Sequence, residues 1–185
     1  YYTDELNQLG VQTTFEVVGG ISDSTAPTVK SYTLDAYTFD VSQSDVTIKQ
    51  TAQLSDDISG VTDGSNGDFV AAAQWKSPSG NSTFFGGNFY DLVSGDYLDG
   101  TFSTEGILNQ YSENGTWTLD NLFVADEAGN TKWYYTNELN QLGVQTTFEV
   151  VGGISDSTAP TVKSYTLDAY TFDGSQADVT IKQTA

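Results

Sequence analysis

Residues 1–52 return almost unchanged as residues 134–185, an offset of 133 positions. Three positions differ, Asp4 against Asn137, Val41 against Gly174 and Ser44 against Ala177. Solenoid units of about 20 to 50 residues cannot bury their own apolar face and need neighbours, whereas a period of 133 residues is long enough for a domain with its own core. The repeat therefore predicts a tandem array of self-contained domains, of which this chain samples one period and part of the next. Gly152-Gly153-Ile154-Ser155-Asp156-Ser157-Thr158-Ala159-Pro160 and its twin, residues 19–27, read as linkers, because paired Gly and a small polar run before Pro end one strand and start another. On that register residues 25–157 form the complete domain. Residues 1–24 are then the C-terminal part of a preceding repeat, and 158–185 the N-terminal strands of a following one.

Charge narrows the chemistry. The chain carries 25 Asp and Glu against 6 basic residues, all Lys, for a formal net charge of −19. One period, residues 1–133, holds 14 Asp, 5 Glu and 4 Lys, or −15, so neighbouring domains repel unless cations intervene. Nucleic acid is excluded as a partner. With no Cys, His, Met or Arg, thiolate and imidazole metal sites, Ser-His triads and arginine clamps are excluded too. Carboxylate chemistry remains, either acid–base pairs on a sugar or oxygen ligands for a hard cation. Among 25 acids some pair meets any spacing test, so spacing gives no support for a glycosidase, and near-identical tandem copies multiply length and valency rather than turnover. We expect no enzyme. No run approaches 18 apolar residues, so no membrane insertion is expected.

Runs rich in Thr, Val, Tyr and Phe alternate between short turn-rich segments, which predicts an all-β domain. Val46, Ile48, Ala52 and Leu54 alternate with Thr47, Lys49, Thr51 and Gln53, and residues 69–76 place Ala73 and Trp75 on one face before the turn Ser77-Pro78-Ser79-Gly80. Trp117 and Leu119 share one parity while Leu122 and Val124 share the other, so a β-bulge near Asp120 and Asn121 is needed to bring all four onto the core face. Residues 136–142 form the one helical candidate, with Thr136 as N-cap and Gly143 ending it, and residues 3–10 are its twin. Trp75, Trp117 and Trp133 all lie in alternating strands and are expected in the core. Seven or more short strands without a disulfide predict an immunoglobulin-like two-sheet β-sandwich, a closed barrel being the alternative.

The order of motifs along the period resembles that of bacterial immunoglobulin-like repeats in very large secreted surface proteins, especially the extender repeats of RTX-type adhesins. It runs from Leu54-Ser55-Asp56-Asp57-Ile58-Ser59-Gly60-Val61 through Trp75-Lys76-Ser77-Pro78-Ser79-Gly80 and Gly115-Thr116-Trp117-Thr118-Leu119 to Ala125-Asp126-Glu127-Ala128-Gly129-Asn130-Thr131. Tyr135-Thr136-Asn137-Glu138-Leu139, Gly143-Val144-Gln145-Thr146-Thr147-Phe148 and the opening Thr158-Ala159-Pro160-Thr161 are similar as well. The resemblance implies an extracellular, cell-surface spacer stiffened by calcium where domains meet. The glycine-rich nonapeptide of RTX proteins is absent, since Gly86-Gly87-Asn88-Phe89-Tyr90-Asp91 fails it at the fourth position, where Phe89 stands for Gly.

In a sandwich of this kind the loop after the second strand and the loop after the penultimate long strand share an end with the N-terminus. That gathers Asp56 and Asp57 from one loop, Asp126, Glu127 and Asn130 from another, and Asp23 from the entering linker. Asp156 is the equivalent linker acid for the next repeat. Ca2+ takes about six to eight oxygen ligands, which such loops supply. The competing reading is that Asp56, Asp63 and Asp126 cap their own backbone in Asx-turns, with no ion. The same reading covers Asp35, Asp40, Asp96 and Asp99. The expected partners are neighbouring repeats of the same chain, with head-to-tail pairing of segments 1–24 and 158–185 through strand edges. The alternative function is a calcium-dependent glycan-binding module that gains avidity from tandem copies and exposed Tyr.

Overall fold

The computed structural model describes residues 1–64, 71–88, 91–154, 158–175 and 178–184. They divide into two compact units, residues 1–154 and 155–185. The first unit contains the ten-stranded domain, and its boundary falls three residues before the expected 157/158 junction.

The domain has two sheets. Strands β1 (Thr28–Leu34), β3 (Val46–Ser55), β7 (Asp99–Leu108) and β6 (Asp91–Gly95) form one, in that spatial order and antiparallel throughout. The other runs β2 (Thr38–Asp40), β10 (Thr147–Val151), β8 (Gly115–Ala125), β4 (Ala71–Lys76), β5 (Ser82–Asn88). Within it β2 and β10 are parallel. The fold is thus an all-β sandwich, as the alternating runs predict. Of the expected strand 69–76, residues 71–76 are β4, and residues 69–70 lie outside the described residues.

β3 shows the alternation at work: Ile48, Gln50, Ala52 and Leu54 are buried while Thr47, Lys49 and Gln53 face water. Between the sheets Trp75 packs against Phe148 at 4.7 Å between ring centroids, and Phe39 meets Phe148 edge-on at 5.3 Å. A fully buried polar side chain also enters this core. Gln50 accepts a hydrogen bond from the Tyr32 hydroxyl at 2.6 Å and donates to the Phe85 carbonyl, so its amide is paired on both sides of the sandwich.

The bulge lies where parity demands it. β4 pairs with β8 as Gln74 to Asn121 and then Trp75 to Leu119, which leaves Asp120 as the extra residue. Trp117, Leu119, Leu122 and Val124 are accordingly all buried. Opposite the bulge, the free edge of β8 is filled by β9 (Thr131–Tyr135), the short helix α2 (Thr136–Gln141) and β10 in succession. The helix spans the irregular stretch, inserting Leu139 into the core. Thr136 is not its N-cap. Tyr135 takes that place, its N–H donating to the Glu138 carboxylate at 3.2 Å, while the Thr136 hydroxyl donates to the Leu119 carbonyl at 2.6 Å. The bulged strand offers the Leu119 and Asp120 carbonyls there, and the hydroxyl goes to them rather than to the helix N-terminus. The twin helix α1 (Thr3–Gln8) forms near the N-terminus with the same cap geometry.

Trp133 departs from expectation. Trp75 and Trp117 are buried, but Trp133 is 45% exposed on the outer face of β9, against Phe123 at 4.8 Å. Its neighbour Tyr134 takes the inward place, and the Tyr134 hydroxyl donates to the Pro27 carbonyl at 3.2 Å.

In the second unit β11 (Thr166–Leu167) pairs antiparallel with β12 (Gln183–Thr184). Thr166 faces Thr184 and Leu167 faces Gln183, the register that Thr33–Thr51 and Leu34–Gln50 adopt in the complete domain. Residues 11–27 form no strand, and the segment 158–185 forms only this hairpin among its described residues.

Candidate functional site

The residues after β3 turn sharply because Asp56 folds them around its side chain. Its Oδ2 accepts hydrogen bonds from the Ile58 and Gly60 N–H groups at 3.2 and 2.8 Å, an Asx-type turn closed by Gly60 at φ +86°. The entering linker docks on this turn. Asp23 accepts from the Thr25 N–H at 3.0 Å through one oxygen and from the Ser59 N–H at 2.9 Å through the other. The Ser59 hydroxyl beside it, with these backbone donors, holds the Asp23 carboxyl below its usual value of 3.8, so it is ionised at neutral pH.

These contacts draw Asp23, Asp56 and Asp57 together, with one oxygen from each lying within 4.8 Å of the others. The Asp56 Oδ1 is buried and has no hydrogen-bond partner, and no ion pair among the described residues includes any of the three. Three carboxylates with no Lys ion pair, one of them keeping a buried oxygen without a hydrogen-bond partner, match the donor type and charge that hard divalent cations take.

Asp126, Glu127 and Asn130 lie in the adjacent turn. Backbone bonds hold the two loops side by side, Thr62 N–H to Ala125 C=O at 3.1 Å and Glu127 N–H to Gly60 C=O at 3.0 Å. Their side chains turn elsewhere. Both Asp126 oxygens accept from Asn130, one from its backbone N–H and one from its side-chain amide, each at 2.7 Å, and Glu127 accepts from the Asp63 N–H at 2.7 Å. Asp156 lies outside the described residues. Asp40 and Asp96 bond backbone N–H groups two residues ahead, as Asx-turns do, and Asp35 accepts from the Lys49 N–H across the β1–β3 connection.

No protein-family model matches the chain, and no match is found among curated proteins or solved structures. What it does must be read from its own geometry.

That geometry has two ends. At the entry Pro27 precedes Thr28, which pairs with Ser55, so the acidic cluster sits where the chain comes in. The exit lies at the other end of β3, where Val46 faces Leu108. There Asn114 brackets Gly153, donating to its carbonyl at 2.8 Å and accepting its N–H at 2.7 Å, and the Ile154 N–H donates to the Gln110 carbonyl at 3.0 Å. Gly152, at φ +76°, and Gly153 allow this close docking. A Cβ on Gly153 would stand 2.2 Å from the Ser112 carbonyl oxygen, and one on Gly152 2.6 Å from Asp40. Sequence reading saw the Gly pair as a break in the strand but missed Asn114, for which an isolated Asn in a polar loop gives no signal.

The outer face of the second sheet carries an apolar recess lined by Ala72, Phe84, Phe123 and Trp133.

Proposed function

We propose that this chain is part of a tandem spacer, an immunoglobulin-like extender of the RTX-adhesin type that holds a distal binding domain away from a cell surface, with calcium bound where one repeat enters the next. The observation that carries this reading is the placement of entry and exit at opposite ends of ten-residue strands. Nine steps of about 3.4 Å make each domain add roughly 30 Å of reach, and the linker extends this towards 40 Å. The anchored entry and exit support transmission of that length from repeat to repeat, and a cation at Asp23, Asp56 and Asp57 would join the linker to the domain while screening the −15 of each period. Asp126, Glu127, Asn130 and Asp156 belong to the same proposed junction as neighbouring or next-repeat oxygens.

The test compares melting of the chain in chelator and in about 10 mM calcium. For a site with Kd near 0.1 mM the ion stabilises the native form by about 2.7 kcal/mol, a rise on the order of 10 °C that Asp56→Ala abolishes. Equal melting temperatures in the two buffers would sink the calcium junction. The spacer reading is tested separately by small-angle scattering of two-, three- and four-repeat proteins, whose maximum dimension should grow by a constant increment of roughly 40 Å.

The exposed recess favours a second reading, in which the repeat binds a glycan by stacking a sugar on Trp133 and Phe123. Signal on a glycan array from a single domain, lost in Trp133→Ala, would favour it. A blank array would favour the spacer.

A further inference from the structure

The domain has one slot and the chain has two segments built to fill it. The slot runs along β8, where α2 and β10 place Leu139, Val144, Phe148 and Val150 in the core. Residues 3–18 repeat residues 136–151 with a single difference, Asp4 for Asn137, on the exposed side of the helix. Their apolar side chains have no comparable cover: Phe15 is 89% exposed where Phe148 is 1%, and Val17 75% where Val150 is 1%.

The N-terminal copy is nonetheless already shaped for the slot. Its helix has the same Tyr N-cap, at φ −85° against −83°, and the same Glu at N3 reaching back to the cap N–H. Val11 N–H bonds the Leu6 carbonyl at 3.1 Å as Val144 N–H bonds that of Leu139 at 3.0 Å, and Gly10 and Gly143 share φ values of 72° and 76°. Thr13 bonds Asn7 as Thr146 bonds Asn140. Only the strand is missing, as expected of a segment whose hydrogen-bonding partners are β8 and β2 of some domain. Preorganisation of this kind lowers the ordering cost of binding.

We propose that residues 3–18 are a second tenant for the slot of residues 136–151, so that copies of this chain exchange the helix–strand unit. Register fixes the contacts: Glu16, Val17 and Val18 would face Thr38, Phe39 and Asp40, as Glu149, Val150 and Val151 do. The acceptor is a second copy of the chain. In the slot Val18 would lie near the exit while Pro27 stays at the entry, and the intervening eight residues, at no more than about 3.6 Å each, leave no slack for insertion into the same domain. In the wild-type chain the resident segment has the advantage of high effective concentration, so exchange emerges when that segment is weakened.

The test weakens it. Phe148→Ala and Phe148→Asp are each compared with the same substitution combined with Phe15→Asp, using the full chain. We expect Phe15→Asp alone to leave the melting temperature unchanged. Phe148→Ala and Phe148→Asp should retain a cooperative transition whose midpoint rises with protein concentration, and should elute as dimers or larger, while the double variants lose on the order of a further 10 °C or fail to fold. The chain has no cysteine, so Glu16→Cys with Thr116→Cys in the Phe148→Asp background gives a clean second readout, since Thr116 bonds the Glu149 carboxylate in the resident arrangement. A covalent dimer on a non-reducing gel supports exchange. Single and double variants that melt alike, or the lack of this dimer, would overturn it.

Discussion

Deleting Thr118 is expected to abolish cooperative folding of the domain, whereas deleting Asp120 should leave it folded and Asp120→Ala should cost less than about 1 kcal/mol. The side chain does little, since it makes a part-exposed ion pair with Lys76 at 2.7 Å, a contact of small value at a surface. Removing the whole residue places Asn121 directly after Leu119, so regular alternation still keeps Trp117, Leu119, Leu122 and Val124 inward. Removing Thr118 forces either Trp117 to the outer face or, if the bulge is given up, Leu119 outward and Asp120 inward. Returning the buried Trp or Leu side chain to water costs at least about 1.5–3 kcal/mol, and an Asp carboxylate turned inward adds a desolvation penalty. Together with the slipped pairing that a Thr118 deletion imposes on β8, such losses approach the whole stability of a typical domain, about 5–15 kcal/mol. Urea unfolding followed by circular dichroism separates the cases. A Thr118 deletion with wild-type midpoint and slope, or an Asp120 deletion that fails to fold, would mean that side-chain parity does not set the register.

Trp75→Ala should be the most damaging single substitution in the core, lowering stability by about 3–5 kcal/mol and the melting temperature by on the order of 10–20 °C. Trp75 is fully buried between the sheets and touches both Tyr32 and Phe148, at 6.4 and 4.7 Å between centroids. The cavity would open at the contact between β4 and the slot strand β10, so the slack is shared by both sheets. Trp133→Ala, the same change at an outer-face residue, should stay near or below about 1 kcal/mol. A thermal scan of both variants decides the matter, and equal losses would contradict this division of the two faces.

The contrast between these Trp residues shows where the sequence is readable. The bulge was legible because Trp117, Leu119, Leu122 and Val124 are apolar among polar neighbours, so their parity conflict had one solution. Trp133-Tyr134-Tyr135 offers no such contrast. All three are aromatic, and the inward place goes to Tyr134 because β9 takes its phase from β8, where Phe123 opposite Trp133 already points outward. The helices were legible from the Gly stop after a short apolar pair, but their cap was not, because the hydroxyl of Thr136 is claimed by a carbonyl on a distant strand. The acids show the same limit. Asp56 and Asp126 both open turns, yet Asp126 has Asn130 to satisfy both its oxygens while Asp56 keeps one oxygen unpartnered. Residue type and spacing bring the two loops to one end, but which oxygens remain for an ion depends on local backbone closure.

The parallel pairing of β2 with β10 bears on what happens when such a domain is pulled. Tension applied through the anchored entry and exit draws the early strands and the last strand in opposite directions along their own axes. The bonds between residues 38–40 and 149–151, and the Val41 N–H to Val151 carbonyl bond at 2.9 Å, then lie across the force and must yield together rather than peel one at a time. Such a load would meet a shear joint here, and a repeat with Gly in place of Val41, as at residue 174, keeps the backbone bond but loses the side chain that Val41 buries in the core, so its joint would yield first.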